Sequence, residues 1–215
     1  MQIRPYRADD REGVRRVCFE TGYMGDPVAW QWRDRDSFAD LFSGWYTDHA
    51  PDDALVAVDE TDRVVGYLLG CRDTRDVAGP GRLVGHHLFG RALLARPGTA
   101  RVLWRAIGDL AVATARRQRP EGEVIDDRWP AHLHIDLLPE ARGTGIGRDL
   151  MTRWLDVLRA DGSAGCHLTT WAENDGAIAF FEAVGFRREG PRQPMLGLRS
   201  PEGHRHHTQL MVQPL

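Results

Sequence analysis

Apolar positions along this chain follow two alternating periods. Leu55-Val56-Ala57-Val58 and Val64-Val65-Gly66-Tyr67-Leu68-Leu69 are strand-like runs separated by the polar turn D-E-T-D-R, which predicts a hairpin. Ahead of them, a short strand is predicted around Gln2 to Tyr6. A helix then runs through about Glu20, capped by Asp9 or Asp10, with Val14, Val17 and Cys18 on one face. The stretch from Tyr23 to Tyr46 carries Trp30, Trp32, Phe38, Phe42 and Trp45, with helical spacing from Ser37 to Tyr46, and reads as core and lid packing. Residues about 74 to 130 are punctuated by Gly and Pro. Within them a helix is predicted from about Ala100 to Arg117, and the polar segment R-P-E-G-E-V-I-D-D-R-W-P closes the region as a loop.

The second half is plainer. From His132 to Leu138, Leu133, Ile135 and Leu137 point one way while His132, His134 and Asp136 point the other. The helix that follows runs to about Ala160, with Ile146, Leu150, Met151, Trp154, Leu155 and Leu158 as its apolar stripe. Cys166 to Ala172 reads as a strand, Asp175 to Val184 as a helix stopped by Gly185, and Met195–Arg199 with Thr208–Gln213 as a terminal hairpin. Such an order predicts an α/β or α+β domain with a mixed sheet. The chain reads as one domain over residues 1–215, with a helical insertion over about 74–130.

Composition narrows the chemistry. With 42% hydrophobic residues in 215, the chain can bury a core, and a net charge of −3 gives no pull toward nucleic acid or anionic membrane. The first residues have no apolar run of signal-peptide length, and no stretch approaches the ~20 apolar residues of a spanning helix. Cys18, Cys71 and Cys166 are too few and too scattered for a disulfide framework, so a soluble cytoplasmic protein is expected. There is no lysine; all 28 basic residues are arginine, which excludes Schiff-base catalysis and a P-loop lysine.

Between strand and helix lies R-G-T-G-I-G, Arg142 to Gly147. A glycine inside a helix costs ~1 kcal/mol relative to alanine, so three glycines at a helix start suggest a ligand that approaches the backbone closely. A helix N-terminus has unpaired N–H groups and partial positive charge, the makings of a phosphate site that Arg142 and Arg148 flank. The Walker pattern is absent, and the G-x-G-x-G spacing past mid-chain does not suit a dinucleotide fingerprint.

The stretch P-E-A-R-G-T-G-I-G resembles the acetyl-CoA-binding motif, R/Q-x-x-G-x-G/A, of GNAT-type N-acetyltransferases. Downstream, N-D-G-A-I-A-F-F-E-A-V-G-F, from Asn174 to Phe186, is similar to that family's N-x-x-A-x-x-x-Y-x-x-x-G-F element, and Asn174 is the chain's one asparagine. A narrower likeness, carried by V-x-x-D-E-x-x-x-x-V-G-Y-x-L-G, H-I-D and A-x-x-F-F-E-A-V-G-F, is to the acetyltransferase-like C-terminal domain of O-GlcNAcases, a pseudo-enzyme in animals. The resemblance implies a mostly antiparallel mixed sheet flanked by helices, with a splayed central strand pair. It also implies acetyl-CoA as cofactor: Leu137 and Leu138 contact the pantetheine through the backbone, and an N–H near Leu138 polarises the thioester. Arg142, Gly143, Thr144, Gly145, Ile146, Gly147 and Arg148 cradle the diphosphate, and Asn174, Phe180 and Phe181 lie beside the pantetheine.

Alkyl amines have pKa ~10.4, so a base must remove a proton before the nitrogen attacks. Asp136 is the first candidate and His134 the second. Where the family has tyrosine to protonate the departing thiolate, this chain has Phe181. The thiol, of pKa near ~8.5, leaves a deficit of roughly 2 kcal/mol at neutral pH, which water, Tyr46 or Tyr67 can cover. His132 and His134 share a face, but no third ligand has recognisable spacing, so no metal is expected. The segment His204-Arg205-His206-His207 reads as solvated. The expected acceptor is a small-molecule or peptide amine, and the acidic residues Asp48, Asp52, Asp53, Asp126 and Asp127 would suit a cationic one. Two rivals stay open: a non-catalytic CoA-sensing module and a generic nucleotide-binding α/β protein. Oligomeric state is not legible.

Overall fold

The expected hairpin forms as β2 (Ala54–Val58) and β3 (Val64–Cys71), with β1 (Gln2–Pro5) on its outer side. The structure, a computed structural model, describes residues 1–77, 99–115 and 124–215. The remaining strands are β4 (Ala131–Leu137), β5 (Gly165–Trp171), β6 (Arg187–Arg199) and β7 (Arg205–Pro214). They make one sheet of seven in the order β1-β2-β3-β4-β5-β7-β6. Every pairing is antiparallel except β4 with β5. The expected mixed, mostly antiparallel sheet is therefore present. The terminal hairpin is longer than its apolar pattern suggested, because ladder bonds continue through polar residues such as Arg187 and Arg205.

Helix α1 (Arg11–Thr21) lies on one face of the sheet and buries Val14, Val17 and Cys18. Asp10 does not cap it. Its carboxylate instead grips Arg4 of β1 at 2.6 and 2.8 Å and accepts the Arg7 N–H. A buried cation demands a partner more strongly than a helix end demands a cap. The aromatic stretch becomes α2 (Arg35–Ala39), one π-helical turn (Asp40–Gly44) and α3 (Trp45–His49). Trp32 and Phe38 join the core, whereas Trp30 and Phe42 face solvent. In the insertion, α4 (Ala100–Ala115) matches the expected helix; its last two expected residues and the first five of the expected loop, 119–123, lie outside the described residues.

The opposite face is covered by α5 (Ile146–Ala160), whose stripe of Leu150, Met151, Trp154, Leu155 and Leu158 is buried as predicted. Trp154 packs its indole directly over Gly70 of β3, where any Cβ would collide with the ring. Helix α6 (Asp175–Ala183) follows β5, and the chain turns out of it at Gly185 with φ +104°. No described helix is long and apolar enough to cross a membrane.

Candidate active site

The sheet opens at its centre. Strands β4 and β5 pair only at Ala131↔Cys166 and His132↔His167, then diverge. The N–H of Leu138 bonds the Val65 carbonyl at 2.9 Å, on the β3 side. Backbone groups alternate sides along an antiparallel strand, so those of Ile135 and Leu137 point into the gap. The Leu138 N–H is thus already paired within the sheet, and of the two expected contact residues it is Leu137 whose N–H lies on the gap side.

The glycine loop stands at the open end of β4, and its three glycines have different reasons. Gly143 and Gly145 adopt φ +72° and +90°, a region that L side chains rarely enter, and open space surrounds the position a Cβ would take on each. Gly147 is different. A Cβ there would lie 3.0 Å from Leu137 Cδ1 and 3.4 Å from Phe180 Cζ, so this glycine lets α5 close onto β4. Gly145 is the N-cap of α5 and offers no side chain to its first-turn amides. Thr144 Oγ1 donates to the Ala141 carbonyl at 2.8 Å and lies 3.5 Å from the Ile146 amide, too long to satisfy it. Open space over a bare helix start fits a diphosphate. From Arg148 a groove of about 310 Å³ continues along α5 past Met151, Leu155 and Arg159 to Ala183 and Gly185.

The arginines do less here than the sequence suggested. Arg142 directs Nε to the Leu137 carbonyl at 3.0 Å and Nη2 to the Gly25 carbonyl at 2.5 Å, strapping the loop to the turn after α1. Arg148 reaches the Ala183 carbonyl at 3.3 Å and remains exposed in the groove. Asn174 caps α6, its Oδ1 accepting the Ala177 N–H at 3.0 Å. Phe180 stands by Gly147 at the gap, whereas Phe181 is buried edge-on against Phe180 and Phe186.

On the α1 side of the gap, His132, His134 and Asp136 share a face as expected but divide sharply in character. His132 is fixed by the Tyr46 hydroxyl at 2.8 Å and Thr74 Oγ1 at 2.9 Å. Burial, with His167 nearby, pushes it down to about 3, so it is a neutral packing residue. His134 Nδ1 sits 3.1 Å from the Phe42 carbonyl, an acceptor only, and so carries the proton. Its Nε2 faces Asp136 Oδ2 at 3.4 Å. Asp136 lies directly opposite Tyr67 in the β3–β4 register and accepts the Tyr67 hydroxyl at 2.5 Å. Burial raises the Asp136 carboxyl above its ordinary range, against the pull of His134 and Tyr67. A carboxylate so raised is a stronger base than a solvated one.

Neither Tyr46 nor Tyr67 stands free to supply the phenol that Phe181 lacks, since one is held by His132 and the other by Asp136. The sequence did not reveal the Tyr67–Asp136 contact, which depends on register between strands far apart in the chain. It also misjudged His206, which is only 4% exposed. Extending the β7 alternation two residues back from Thr208 would have placed it inward. The acidic residues offered for a cationic acceptor are largely taken up: Asp48 pairs with Arg11, Asp53 with Arg72, Asp126 with Arg128 and Asp127 with Arg75. Among the described residues no group of His, Cys, Asp or Glu is placed to hold a metal ion.

Several solved structures share this architecture. That of SsHAT is 27% identical with a TM-score of 0.65, the match covering 99% of this chain and 97% of that one. A GNAT superfamily phosphinothricin acetyltransferase from Sinorhizobium meliloti, solved in complex with AcCoA, is 20% identical with a TM-score of 0.60, covering 100% and 88%. The ribosomal-protein-alanine N-acetyltransferase from Brucella melitensis is 18% identical at TM-score 0.58, covering 100% of both chains. At those identities the last two speak for the fold. The profile of the Acetyltransferase (GNAT) family matches residues 18–186, from within α1 to the end of the Asn174–Phe186 element. The opened strand pair and the uncapped glycine loop fall inside that span, and the chain belongs to the GNAT family of acetyltransferases.

Proposed function

We propose that this acyltransferase moves an acetyl group from acetyl-CoA to a primary amine, with both bound together. The observation that carries this reading is the open, left-handed Gly143–Gly145 step at the bare start of α5, next to the gap-facing backbone of Leu137. Bound there, acetyl-CoA would supply an activated thioester: the amine nitrogen bonds the acetyl carbon as the C–S bond breaks, and the departing thiolate takes the second proton that the nitrogen sheds, directly or through water. The amides from Gly143 to Arg148 hold the diphosphate, and Arg148 adds charge along the groove. The Leu137 N–H is aimed where a carbonyl oxygen in the gap gains charge. Phe180 forms an apolar wall at the same level. Asp136 takes the ammonium proton, with His134 Nε2 beside it to share that proton. Acetyl-CoA as cofactor, these residue roles and one domain over 1–215 all belong to this reading.

A second reading, a CoA-binding module with little turnover, is favoured by Phe181 and by the engaged hydroxyls of Tyr46 and Tyr67. Calorimetry with CoA, ATP and NAD tests the cofactor: selective binding of CoA is expected, and equal affinity for all three would point to a generic nucleotide site. Release of free thiol with acetyl-CoA and a panel of amines tests the reaction. Tight CoA binding without turnover on any amine, unaltered by Asp136→Asn, leaves the sensing module as the better account.

A further inference from the structure

Opposite Asp136, at the far lip of the gap, stands a group of aromatic side chains. Trp171, the last residue of β5, lies four residues past His167 just as Asp136 lies four past His132, on the part of the two strands that has diverged. Tyr23, two residues beyond the end of α1, meets three rings edge-on, with centroids 5.0 Å from Trp30, 5.4 Å from Trp171 and 5.6 Å from His206. Trp30 is 47% exposed, so this wall is open to solvent.

Behind the rings lies negative charge. Tyr23 Oη is 3.1 Å from His206 Nε2, and the buried His206 Nδ1 has no hydrogen-bond partner and faces Glu173 Oε2 at 3.5 Å. Glu173 also accepts from the His207 backbone N–H and stands 3.0 Å from His207 Nδ1. Burial opposes its ionised form, but the His207 bonds outweigh that and hold its carboxyl below the usual range. Burial first, then Glu202, Glu173 and Asp26, raises the Tyr23 hydroxyl, so three carboxylates act on this ring. Arg142 reaches the same turn, with its guanidinium bonded to the carbonyls of Gly25 and Leu137.

We propose that Tyr23, Trp30 and Trp171, backed by the His206–Glu173 pair, form the acceptor subsite, and that the acceptor is a cationic amine with an aromatic or alkyl body and no carboxylate. The proposal rests on the amine-acetyltransferase reading above. Ring faces attract an ammonium within ~6 Å, and the carboxylates keep it protonated until it meets Asp136. A carboxylate on the acceptor would face Glu173, Glu202 and Asp26 with like charge.

Four probes separate charge from shape: phenethylamine, hexylamine, phenylalanine and the neutral 2-phenylethanol. Calorimetry without acetyl-CoA should show either cation binding at least tenfold more tightly than the alcohol or the amino acid. With acetyl-CoA, kcat/KM for phenethylamine should exceed that for phenylalanine by a similar factor. Trp30→Ala, at an exposed position, should raise Kd and KM for the cations roughly tenfold while kcat holds, the scale of a half-buried cation–π contact with its apolar packing. Glu173→Gln should act in the same direction. The proposal is overturned if neither cation binds, if phenylalanine matches them, or if Trp30→Ala leaves Kd and KM alone. Loss of acetyl-CoA binding alone would instead sink the transferase reading, because amine binding is read without it.

Discussion

Tyr67 and Asp136 face each other across β3 and β4, and the Tyr67 hydroxyl donates to Asp136 Oδ2 at 2.5 Å. Tyr67 is fully buried, and burial, with Asp136 next, keeps its phenol protonated well above the ordinary range. The phenol therefore acts as a fixed donor. It holds the carboxylate in one orientation at the level where the central strands separate.

The pH profile should carry this arrangement. Asp136 must be ionised to accept a proton, and burial raises its folded pKa. The acidic limb of kcat/KM is therefore expected above the ordinary carboxylate value of ~3.9. Asp136→Asn should remove that limb and lower kcat/KM by about 10²–10⁴, with CoA affinity intact. Tyr67→Phe should move the limb further up, because a donor to the ionised form is gone. An unchanged profile in both variants would remove Asp136 from the reaction.

The glycines should separate by experiment. Gly145→Ala places a Cβ at φ +90°, which costs roughly 1–2 kcal/mol, and it fills the space above the helix start. It should weaken CoA binding at least tenfold while the chain still folds. Gly147→Ala presses on Leu137 and Phe180 and should mainly lower Tm. Calorimetric titration and thermal unfolding of the two variants should show this crossed pattern; the reverse pattern would assign the ligand to Gly147.

Packing across the sheet makes a stability prediction. Trp154 is 1% exposed and covers Gly70. Trp154→Ala should cost about 3–5 kcal/mol, and Gly70→Ala about 1–3 kcal/mol by overpacking. Because the second clash needs the indole, the double variant should cost less than the two singles together in denaturant unfolding. Simple additivity would mean that the two residues are not in contact.

His132 predicts how the fold responds to acid. Its folded pKa, about 3, lies below the ordinary 6.5, so the unfolded chain takes up a proton that the folded chain refuses. Stability should thus rise with pH between those values and be fully present above 6.5. At pH 5 the loss from this residue is roughly 2 kcal/mol. His167 shifts in the same direction, so the informative measurement is the slope of unfolding free energy from pH 5 to 7 in His132→Gln. A slope equal to the parent's would show that His132 is not held neutral.

The sequence by itself determined what depends on a few neighbouring residues. The alternation from His132 to Leu138, the stripe of α5, the hairpin and the helix-starting glycines were all legible, because strand pleat, helix period and φ preference are local constraints. It also placed Asp136 and His134 on one face. Tertiary structure decided the rest. Only the register of β3 with β4 brings Tyr67 to Asp136, and only the divergence of β4 from β5 turns the Leu137 backbone toward a ligand. Asp10 left its helix cap for Arg4, His206 went inward beside Tyr23, and several surface aspartates paired with arginine. Burial energies and ion pairs join residues that lie tens of positions apart, and a one-dimensional pattern does not contain those distances.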